Sequence, residues 1–200
     1  MSLLDRLYNF HWIAPGVARS AQPYLGFYGA FLKAHGIKSL INLRGENPKH
    51  GWWHRERALA AKLGIAHFDV RLSTRKLPAQ DRIVALFDAF ARAEKPVLMK
   101  CSGGQDRTGL AAALYILDVG GAGAFAAADA QFARWPYLHW PSAGQMWMQQ
   151  FIPFALQDSG GAPLGEWARR YTPERFADWL AARGMKASYE TIQRPWPAHT

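Results

Sequence analysis

The sequence predicts an α/β fold: a central, largely parallel sheet flanked by helices, with a helical C-terminal half. Two observations support this fold class. Short apolar runs typical of buried strands alternate with longer segments in which apolar residues recur at helical spacing. The resulting order (strand, helix, strand, helix, strand, helix, strand, loop, helix) is typical of β-α-β units, whose strands lie side by side in parallel.

In the first half of the chain, the sequence predicts three strands with two helices between them. Each helix ends at a glycine: residues 25–35 end at Gly36, and residues 53–63 end at Gly64. The strands are short apolar or alternating runs. They are V-A-R-S (17–20), K-S-L-I-N-L-R (38–44) and I-A-H-F-D-V-R-L (65–72).

The second half is predicted to be mostly helical around one further strand. A helix with apolar residues at i, i+3, i+4 and i+7 from Ile83 ends before the apolar strand P-V-L-M-K (96–100). A helix with the same spacing starts near Leu110. Thr172 and Pro173 are a suitable N-cap and first residue for the last helix. The remaining helices are predicted over 122–134, 144–157 and 173–183.

Length and composition indicate a single domain over residues 1–200. This length suffices to bury a core without disulfides or a structural metal, and half of the residues are apolar. We divide the domain into a core over roughly 15–120, C-terminal helices over roughly 121–185 and a tail over 186–200. The end of the tail, Q-R-P-W-P-A-H-T, is predicted to be irregular.

The formal net charge of +9 indicates an anionic partner, either a phosphorylated substrate or an anionic membrane surface contacted transiently. The basic residues are scattered and form no nucleic-acid motif, so we expect no nucleic acid partner. The N-terminus does not resemble a signal peptide, and no apolar run approaches about 18 residues. We therefore expect a cytoplasmic protein without a membrane span. Its single cysteine excludes an internal disulfide and fits a reducing compartment.

The stretch M-K-C-S-G-G-Q-D-R-T-G-L (99–110) joins a predicted buried strand to a predicted helix, at the sheet edge where open α/β sheets bind ligands. The two adjacent glycines let loop N–H groups turn inward, and the positive end of the helix dipole faces the same space. The loop therefore predicts a phosphate-sized anion site. We assign phosphate binding to Ser102, Gly103, Gly104, Gln105 and Arg107.

Cys101 lies at the mouth of this predicted site, six residues before Arg107. A nearby guanidinium and an anion-binding loop lower the pKa of a thiol, so we expect a nucleophilic thiolate at neutral pH. Arg107 offers two parallel N–H groups to phosphate oxygens as charge develops during transfer. Thr108 can hydrogen-bond the sulfur and stabilise it as a leaving group. Cys101, Arg107 and Thr108 are therefore candidate catalytic residues for phosphoryl transfer.

The loop C-S-G-G-Q-D-R-T-G resembles the C-x5-R-[S/T] signature of the cysteine-based protein tyrosine and dual-specificity phosphatase superfamily. The upstream segments V-A-R-S-A-Q-P and G-I-K-S-L-I-N-L-R-G-E resemble small bacterial and fungal dual-specificity-like members, and the likeness covers roughly residues 15–120. The resemblance implies a phosphomonoester hydrolase with a cysteinyl-phosphate intermediate and no metal or cofactor. Lys100 departs from the superfamily, most of whose members have histidine there.

Two aspartates are candidates for the general acid that protonates the leaving oxygen, a step that commonly contributes about 10²–10⁴-fold in rate. Asp69 lies 32 residues before Cys101, a spacing similar to that of many superfamily members, but it falls inside a predicted strand. Asp106 precedes Arg107, as in the myotubularin-type lipid phosphatases. A bound phosphate dianion would favour the protonated form of this carboxyl, and we favour Asp106 over Asp69.

Four basic residues near predicted strand ends could form a rim that favours multiply phosphorylated substrates or an anionic lipid surface. Phosphotyrosine, phosphoinositides and inositol phosphates all remain open as substrates. Two other interpretations also remain: a catalytically idle phosphate- or phosphoinositide-binding module, and a single-cysteine enzyme of the sulfurtransferase type. The rim candidates are Arg44, Arg71, Arg75 and Lys76.

The chain has nine tryptophans, and two segments rich in them could contact a membrane or a partner: G-W-W-H (51–54) and W-P-Y-L-H-W-P (135–141). We expect these residues to pack the helical half against the sheet. His50 and His54 have the i, i+4 spacing of a metal-ligand pair, but no third ligand is evident, so we predict no metal site.

Overall fold

The computed structural model describes residues 2–23 and 26–196 and confirms the predicted fold class. A five-stranded sheet, largely parallel, lies between two layers of helices, and a second sheet has two short strands. The strands are β1 (His11–Ala14), β2 (Val17–Ser20), β3 (Ser39–Asn42), β4 (Ala66–Asp69), β5 (Lys76–Leu77), β6 (Val97–Lys100) and β7 (Thr191–Ile192).

The strand order in the large sheet is β1-β2-β6-β3-β4. Only the β1–β2 pair is antiparallel, and β6 lies in the middle of the sheet. The carboxyl ends of the four parallel strands are in register, so one row of paired residues crosses the sheet at that edge. This edge binds ligands in open α/β sheets. The row consists of Ser20, Lys100, Asn42 and Asp69.

Strands β2, β3 and β6 are buried along their whole length, as expected for parallel strands covered on both faces. Their side chains alternate between two separate apolar clusters. One face packs with the core helices of the C-terminal half, and the other packs with helices from the N-terminal half. Val17, Ile41 and Met99 point to the first cluster, and Ala18, Leu40 and Leu98 point to the second.

The helices divide between the two faces of the sheet. α1, α2 and α3 cover one face, and α4, α5, α7, α8 and α9 contribute to the core on the other. The helices are α1 (Leu3–Leu7), α2 (Tyr28–Ala34), α3 (Gly51–Leu63), α4 (Gln80–Arg92), α5 (Asp106–Gly120), α6 (Phe125–Asp129), α7 (Trp147–Ser159), α8 (Leu164–Ala168) and α9 (Pro173–Ala181).

Helix α5 is the central helix of the larger apolar cluster. The run Asp106–Phe132, which begins with α5, is long and apolar enough by length and composition to cross a membrane. In the fold, α5 packs against β6, α6, α7 and α8, and most of its residues are buried. A buried core helix meets the same criterion of length and composition.

Most helix and strand boundaries differ from the predicted ones by a few residues. The differences are a helix that begins later, a strand whose regular pairing is shorter, and a helix that is divided into shorter elements. The helix predicted over 25–35 begins at Tyr28, and its predicted first residue, Leu25, lies outside the described residues. The strand predicted over 65–72 keeps regular pairing only over Ala66–Asp69, with an isolated bridge between Arg44 and Arg71 beyond it. The helix predicted over 122–134 is α6 flanked by short 3₁₀ turns.

The stretch predicted to be irregular has no helix or strand in its described part, residues 193–196, but the two residues before it form a strand. Strand β7 pairs in parallel with β5, and the N–H of Gln193 donates to Leu77 O at 2.7 Å. Further on, the guanidinium of Arg82 lies 3.6 Å from the ring centroid of Trp196, whose N–H donates to Asp81 Oδ2 at 2.6 Å. The residues after 196 lie outside the described part of the chain. The prediction of one domain over 1–200 stays a prediction.

The expected packing role of the tryptophans is correct for only some of them. Trp53, Trp147 and Trp167 are buried. Trp135 and Trp140 are 71% and 58% exposed, contrary to the prediction that their segment packs against the sheet.

Candidate active site

Cys101 directly follows β6, and residues 101–105, here called the cradle loop, connect it to the first residue of α5, Asp106. The loop turns tightly against the end of β2, which the φ of +67° at Gly104 permits. A Cβ at this glycine would lie 2.5 Å from Ala21 N and 2.6 Å from Ser20 C. Only glycine fits this close approach of two backbones.

The carbonyl oxygens of the cradle loop bond to the surrounding protein. The N–H of Gln22 donates to Ser102 O at 3.0 Å. Asn9 Nδ2 lies 3.3 Å from both Gly103 O and Gly104 O. Because these carbonyls are held on one side, the N–H groups of the loop are available to an anion on the other.

Arg19 of β2 supports the loop from beneath and is completely buried. Its Nη2 donates to Gly104 O at 2.8 Å and to Gln105 O at 3.2 Å. Its Nη1 donates to the backbone and side-chain oxygens of Gln131, and the guanidinium lies 4.1 Å from the Tyr137 ring centroid. Burial lowers the pKa of Arg19 to about 10, so this residue remains a cation at neutral pH.

Cys101 is 3% exposed at the base of this arrangement. Burial raises the pKa of its thiol, whereas the positive charge of Arg107 and hydrogen bonds from Thr108 and the Gly104 N–H lower it. The lowering effects prevail, and the pKa of Cys101 lies below its ordinary value. The site thus favours the thiolate, which is the nucleophilic form.

Arg107 and Thr108 follow the cradle loop in the first turn of α5, and their catalytic roles stay predictions. Arg107 Nη2 donates to Ser102 Oγ at 3.3 Å, and within the described residues its buried Nε has no hydrogen-bond partner. The hydroxyl of Thr108 is also buried and, in the described part of the chain, has no other partner than the Cys101 sulfur. Both side chains therefore have donors left for a bound phosphate or for the sulfur.

Asp106 lies at the first position of α5 with its side chain 19% exposed. Oδ1 lies 3.4 Å from His139 Nε2, and Oδ2 lies 3.4 Å from Gln145 Nε2. The structure therefore holds this carboxyl group beside the cradle loop between two polar side chains.

Asp69 ends β4, and its carboxylate has other partners. Oδ1 accepts a hydrogen bond from Asn42 Nδ2 at 2.6 Å, and Oδ2 accepts one from Trp53 Nε1 at 3.0 Å. His67 Nδ1 lies 3.7 Å from Oδ2. Since β3 lies between β4 and β6, Asp69 is two strands away from the strand that leads to Cys101, roughly 10 Å at ordinary strand spacing.

Comparison with known families matches residues 29–129, about half of the chain and all of the cradle loop, to the tyrosine phosphatase family. The chain belongs to this family. It is a cysteine-dependent phosphatase, as the sequence predicted, and the matched range includes the loop that begins at Cys101. A search of curated proteins finds no match.

Solved structures of the same fold include TpbA from P. aeruginosa, with 18% identity over 88% of this chain and 93% of that chain and a TM-score of 0.54. The core catalytic domain of the PP-IP phosphatase SIW14 from S. cerevisiae, in complex with citrate, has 18% identity with the same coverages and a TM-score of 0.55. A variant of TpbA in complex with pTyr has 19% identity over 76% and 94% of the two chains and a TM-score of 0.50. At these identities the likeness shows the fold.

Lys100, where most members have histidine, points into a buried polar network. Its Nζ lies 2.7 Å from Glu56 Oε1 and donates to Gln22 Oε1 at 2.6 Å and Asn42 Oδ1 at 2.8 Å. Glu56 also accepts from Gln22 Nε2 at 2.8 Å and lies 3.0 Å from His67 Nε2. Burial lowers the pKa of Lys100 to about 8, against the attraction of Glu56. The lysine therefore ties β6 to β3 and α3 beneath the loop.

The four rim candidates lie in two different places. Arg44 stacks on the Trp52 ring, 3.6 Å from its centroid, and its Nη1 donates to Gln22 Oε1 at 3.4 Å, which places it beside the network under the loop. Arg71 donates through Nη2 to Glu46 O. Arg75 pairs with Glu190 at 2.9 Å, and Lys76 begins β5, so both lie with the C-terminal segment. The assignment of these residues to a substrate rim stays a prediction.

Several residues that hold the site were not predicted from the sequence. Arg19 had one usable signal, a charged residue inside a short strand that the prediction placed in the sheet. Asn9, Gln131 and the polar partners of Asp106 had none, because they lie far from the cradle loop in the chain. Among the described residues, no group of three His, Cys, Asp or Glu side chains is placed to hold a metal ion.

Proposed function

We propose that this phosphatase hydrolyses phosphomonoesters through a cysteinyl-phosphate intermediate, with Asp106 as general acid. The observation that supports this most directly is the lowered pKa of Cys101 inside an anion-binding loop. A phosphate-binding module would not need a buried thiol with a lowered pKa beside Arg107, so the geometry favours nucleophilic catalysis over binding alone.

In the first step, the Cys101 thiolate attacks phosphorus while the bond from phosphorus to the ester oxygen breaks. Loop N–H groups and the Arg107 guanidinium bind the non-bridging oxygens, whose charge they stabilise in the transition state. The proton on Asp106 moves to the departing oxygen, which leaves as an alcohol or phenol.

In the second step, water attacks the phosphorus and the bond to sulfur breaks. Asp106, now a carboxylate, accepts a proton from this water. The hydrogen bond from Thr108 stabilises the sulfur as it regains its charge. Inorganic phosphate is released, and the thiolate and the protonated acid are restored.

The contacts of the two aspartates support Asp106 as the acid. Both oxygens of the Asp69 carboxylate already accept hydrogen bonds, from Asn42 and from Trp53, so this side chain has a structural role. The Asp106 carboxyl group, in the residue next to Arg107, has only longer polar contacts: His139 Nε2 and Gln145 Nε2 each lie 3.4 Å from one of its oxygens. It is therefore the carboxyl group better placed to hold and release a proton.

For the substrate class we propose a phosphotyrosine-type ester, a phosphoinositide or an inositol phosphate. TpbA in complex with pTyr and SIW14, described as a PP-IP phosphatase, support phosphorylated substrates of these kinds. In this chain, Trp135 and Trp140 are exposed on the segment that also contacts Asp106, and Arg134 lies 3.3 Å from the Trp140 ring centroid. Such aromatic and cationic groups suit an aryl or inositol ring, or transient contact with an anionic lipid surface.

The mechanism is tested by hydrolysis of para-nitrophenyl phosphate and phenyl phosphate, with EDTA present, by the wild type and by Cys101→Ser, Asp106→Asn and Asp69→Asn. We expect Cys101→Ser to abolish both activities. We expect Asp106→Asn to lose about 10²–10⁴-fold on phenyl phosphate and much less on the better leaving group. A leaving-group-dependent loss in Asp69→Asn instead would transfer the acid role to that residue.

The substrate class is tested with a phosphotyrosine peptide, an inositol phosphate and phosphoinositide vesicles, each compared by kcat/KM. Wild-type protein that hydrolyses none of these, nor para-nitrophenyl phosphate, would favour the phosphate-binding module. Sulfur transfer from thiosulfate to cyanide, abolished by Cys101→Ser, would favour the sulfurtransferase.

A further inference from the structure

His139 is a buried residue of the 133–146 segment, with its side chain 3% exposed, and the proposed mechanism does not use it. Its Nδ1 lies 3.0 Å from Phe132 O. A carbonyl oxygen only accepts, so Nδ1 must have the hydrogen. Nε2 lies 3.4 Å from Asp106 Oδ1 and, among the described residues, has no hydrogen-bond partner.

Gln145 fixes the other oxygen of the same carboxyl group. Its Oε1 accepts from the N–H and the hydroxyl of Ser142, both at 2.8 Å. This orientation leaves Nε2 as a donor toward Asp106 Oδ2. Oδ2 is therefore an acceptor, and Oδ1 is the oxygen at which a proton can reside.

Oδ1 of Asp106 and Nε2 of His139 lie 3.4 Å apart with no hydrogen bond between them in the structure. A neutral ring with its hydrogen on Nδ1 presents a lone pair at Nε2, which can accept a hydrogen bond from a carboxylic acid. The two groups are therefore placed to share the single proton that a general acid donates.

The position of His139 is fixed by the groups that also fix the cradle loop. Tyr137 O accepts from Asn9 Nδ2 at 3.1 Å, and Asn9 also holds the loop carbonyls. The Tyr137 ring lies against Arg19, which donates to the same loop. The distance between Asp106 and the 133–146 segment is therefore set by shared supports.

We propose that His139 is a positioning residue that orients the Asp106 carboxyl group and accepts a hydrogen bond from its acidic proton between turnovers. This inference rests on the proposed function of Asp106 as general acid. When Oδ1 gives its proton to the leaving oxygen, His139 remains neutral with its hydrogen on Nδ1. When water attacks the cysteinyl phosphate, its proton returns to the space between Oδ1 and Nε2, and the pair is ready for another substrate.

The test compares His139→Phe, His139→Gln and the double variant His139→Phe/Asp106→Asn on phenyl phosphate and para-nitrophenyl phosphate. Phenylalanine preserves the ring but removes both nitrogens, and glutamine preserves polarity but cannot hold the proton. We expect each single variant to lose about 10–100-fold in kcat on phenyl phosphate and at most a few-fold on para-nitrophenyl phosphate. In the Asp106→Asn background the histidine change should add no further loss on phenyl phosphate.

The matched control is His35→Phe, because His35 forms a comparable pair with Asp5 at 2.9 Å on the opposite face of the sheet. It should leave both activities unchanged. Equal losses on the two substrates in His139→Gln, an additive loss in the double variant, or no loss at all would each overturn the proposal. If His139→Phe does not fold, His139→Gln decides. A failure of Asp106→Asn itself to show leaving-group dependence would instead overturn the proposed acid.

Discussion

At Cys101 two physical effects on the thiol oppose each other. Burial removes water that would solvate the thiolate, while a guanidinium and several N–H and O–H donors replace it. The donors are fixed in place before any substrate arrives, so they need not reorient when charge develops on the sulfur or the phosphate. The same reasoning explains why Arg19 is buried: it binds carbonyl oxygens that would otherwise repel an anion.

The lowered pKa of Cys101 predicts a specific pH dependence. The thiolate persists to lower pH than in an ordinary cysteine, so alkylation by iodoacetamide should remain fast below the usual thiol range and slow only as pH falls through the lowered pKa. Thr108→Val, which removes one hydrogen bond to the sulfur, should raise the midpoint by roughly one pH unit.

Rates of alkylation measured by mass spectrometry from acid to alkaline pH test this prediction, with Cys101→Ser as the blank. A wild-type midpoint equal to that of a free thiol would contradict it. The same would follow if Thr108→Val left the midpoint unchanged.

At the scale of elements, the cradle loop depends on the contact between its turn and the end of β2. The sequence places glycine at a left-handed position where a Cβ would meet the backbone of Ser20 and Ala21. Any larger residue must therefore move either the loop or the strand. The strand is held by β6 and β1 on its two sides, so the loop should be the part that shifts.

Gly104→Ala should destabilise the protein by roughly 3 kcal/mol, since the cost of a left-handed alanine adds to that of a steric clash. Activity should fall more than stability predicts, because the N–H groups that we propose to bind phosphate move with the loop. Gly160→Ala is the matched control: Gly160 has a φ of +58° but open space around its Cβ position, and should cost only about 1–2 kcal/mol.

Urea unfolding and the binding of inorganic phosphate separate these two effects. Equal stability losses in the two alanine variants would show that the contact with β2 contributes nothing. Unchanged phosphate binding in Gly104→Ala would show that the loop keeps its shape.

At the scale of the whole molecule, the Lys100–Glu56 pair joins the centre of the sheet to α3 in a nearly dry environment. Two buried charges gain little over apolar packing, but either one alone is costly because nothing compensates it. Gln22, Asn42 and His67 satisfy the remaining donors and acceptors of the pair. The pair therefore makes the position of the active-site strand depend on α3.

Glu56→Gln should lower the free energy of unfolding by roughly 3–5 kcal/mol, since it leaves Lys100 without a counter-charge. The pKa of Glu56 lies below its ordinary value. Burial raises this pKa, but the charge of Lys100 and the hydrogen bonds from His67, Lys100 and Gln22 together lower it by more. The stabilisation is thus present above the unfolded value of about 4.5 and is lost as pH falls through the lower folded value.

Denaturant unfolding at pH 7 and at acid pH measures the stability lost in Glu56→Gln and the dependence of that loss on pH. Glu94→Gln is the control, because its exposed pair with Lys38 should be worth at most about 1 kcal/mol. Wild type and Glu56→Gln should converge as the pH falls well below 4.5. An equal effect of the two substitutions at pH 7 would contradict the role of the buried pair.

Local sequence determined the position of the cradle loop between a strand and a helix, and the order of the large elements. Glycines, a cysteine and an arginine within seven residues leave few alternatives when a buried strand precedes them and a helix follows. Local sequence did not predict β5 and β7, because each strand has only two residues and forms by pairing with the other. Such short strands have no periodic pattern to detect.

The sequence by itself therefore determined the α/β fold class and the loop that brings Cys101 and Arg107 together, since these depend on neighbours in the chain. Only the tertiary structure decided how the two aspartates differ, with Asp69 bound by Asn42 and Trp53 and Asp106 facing His139. The physical reason is that the role of a carboxyl group depends on the polar groups packed around it. Those groups come from distant parts of the chain, and the fold alone brings them together.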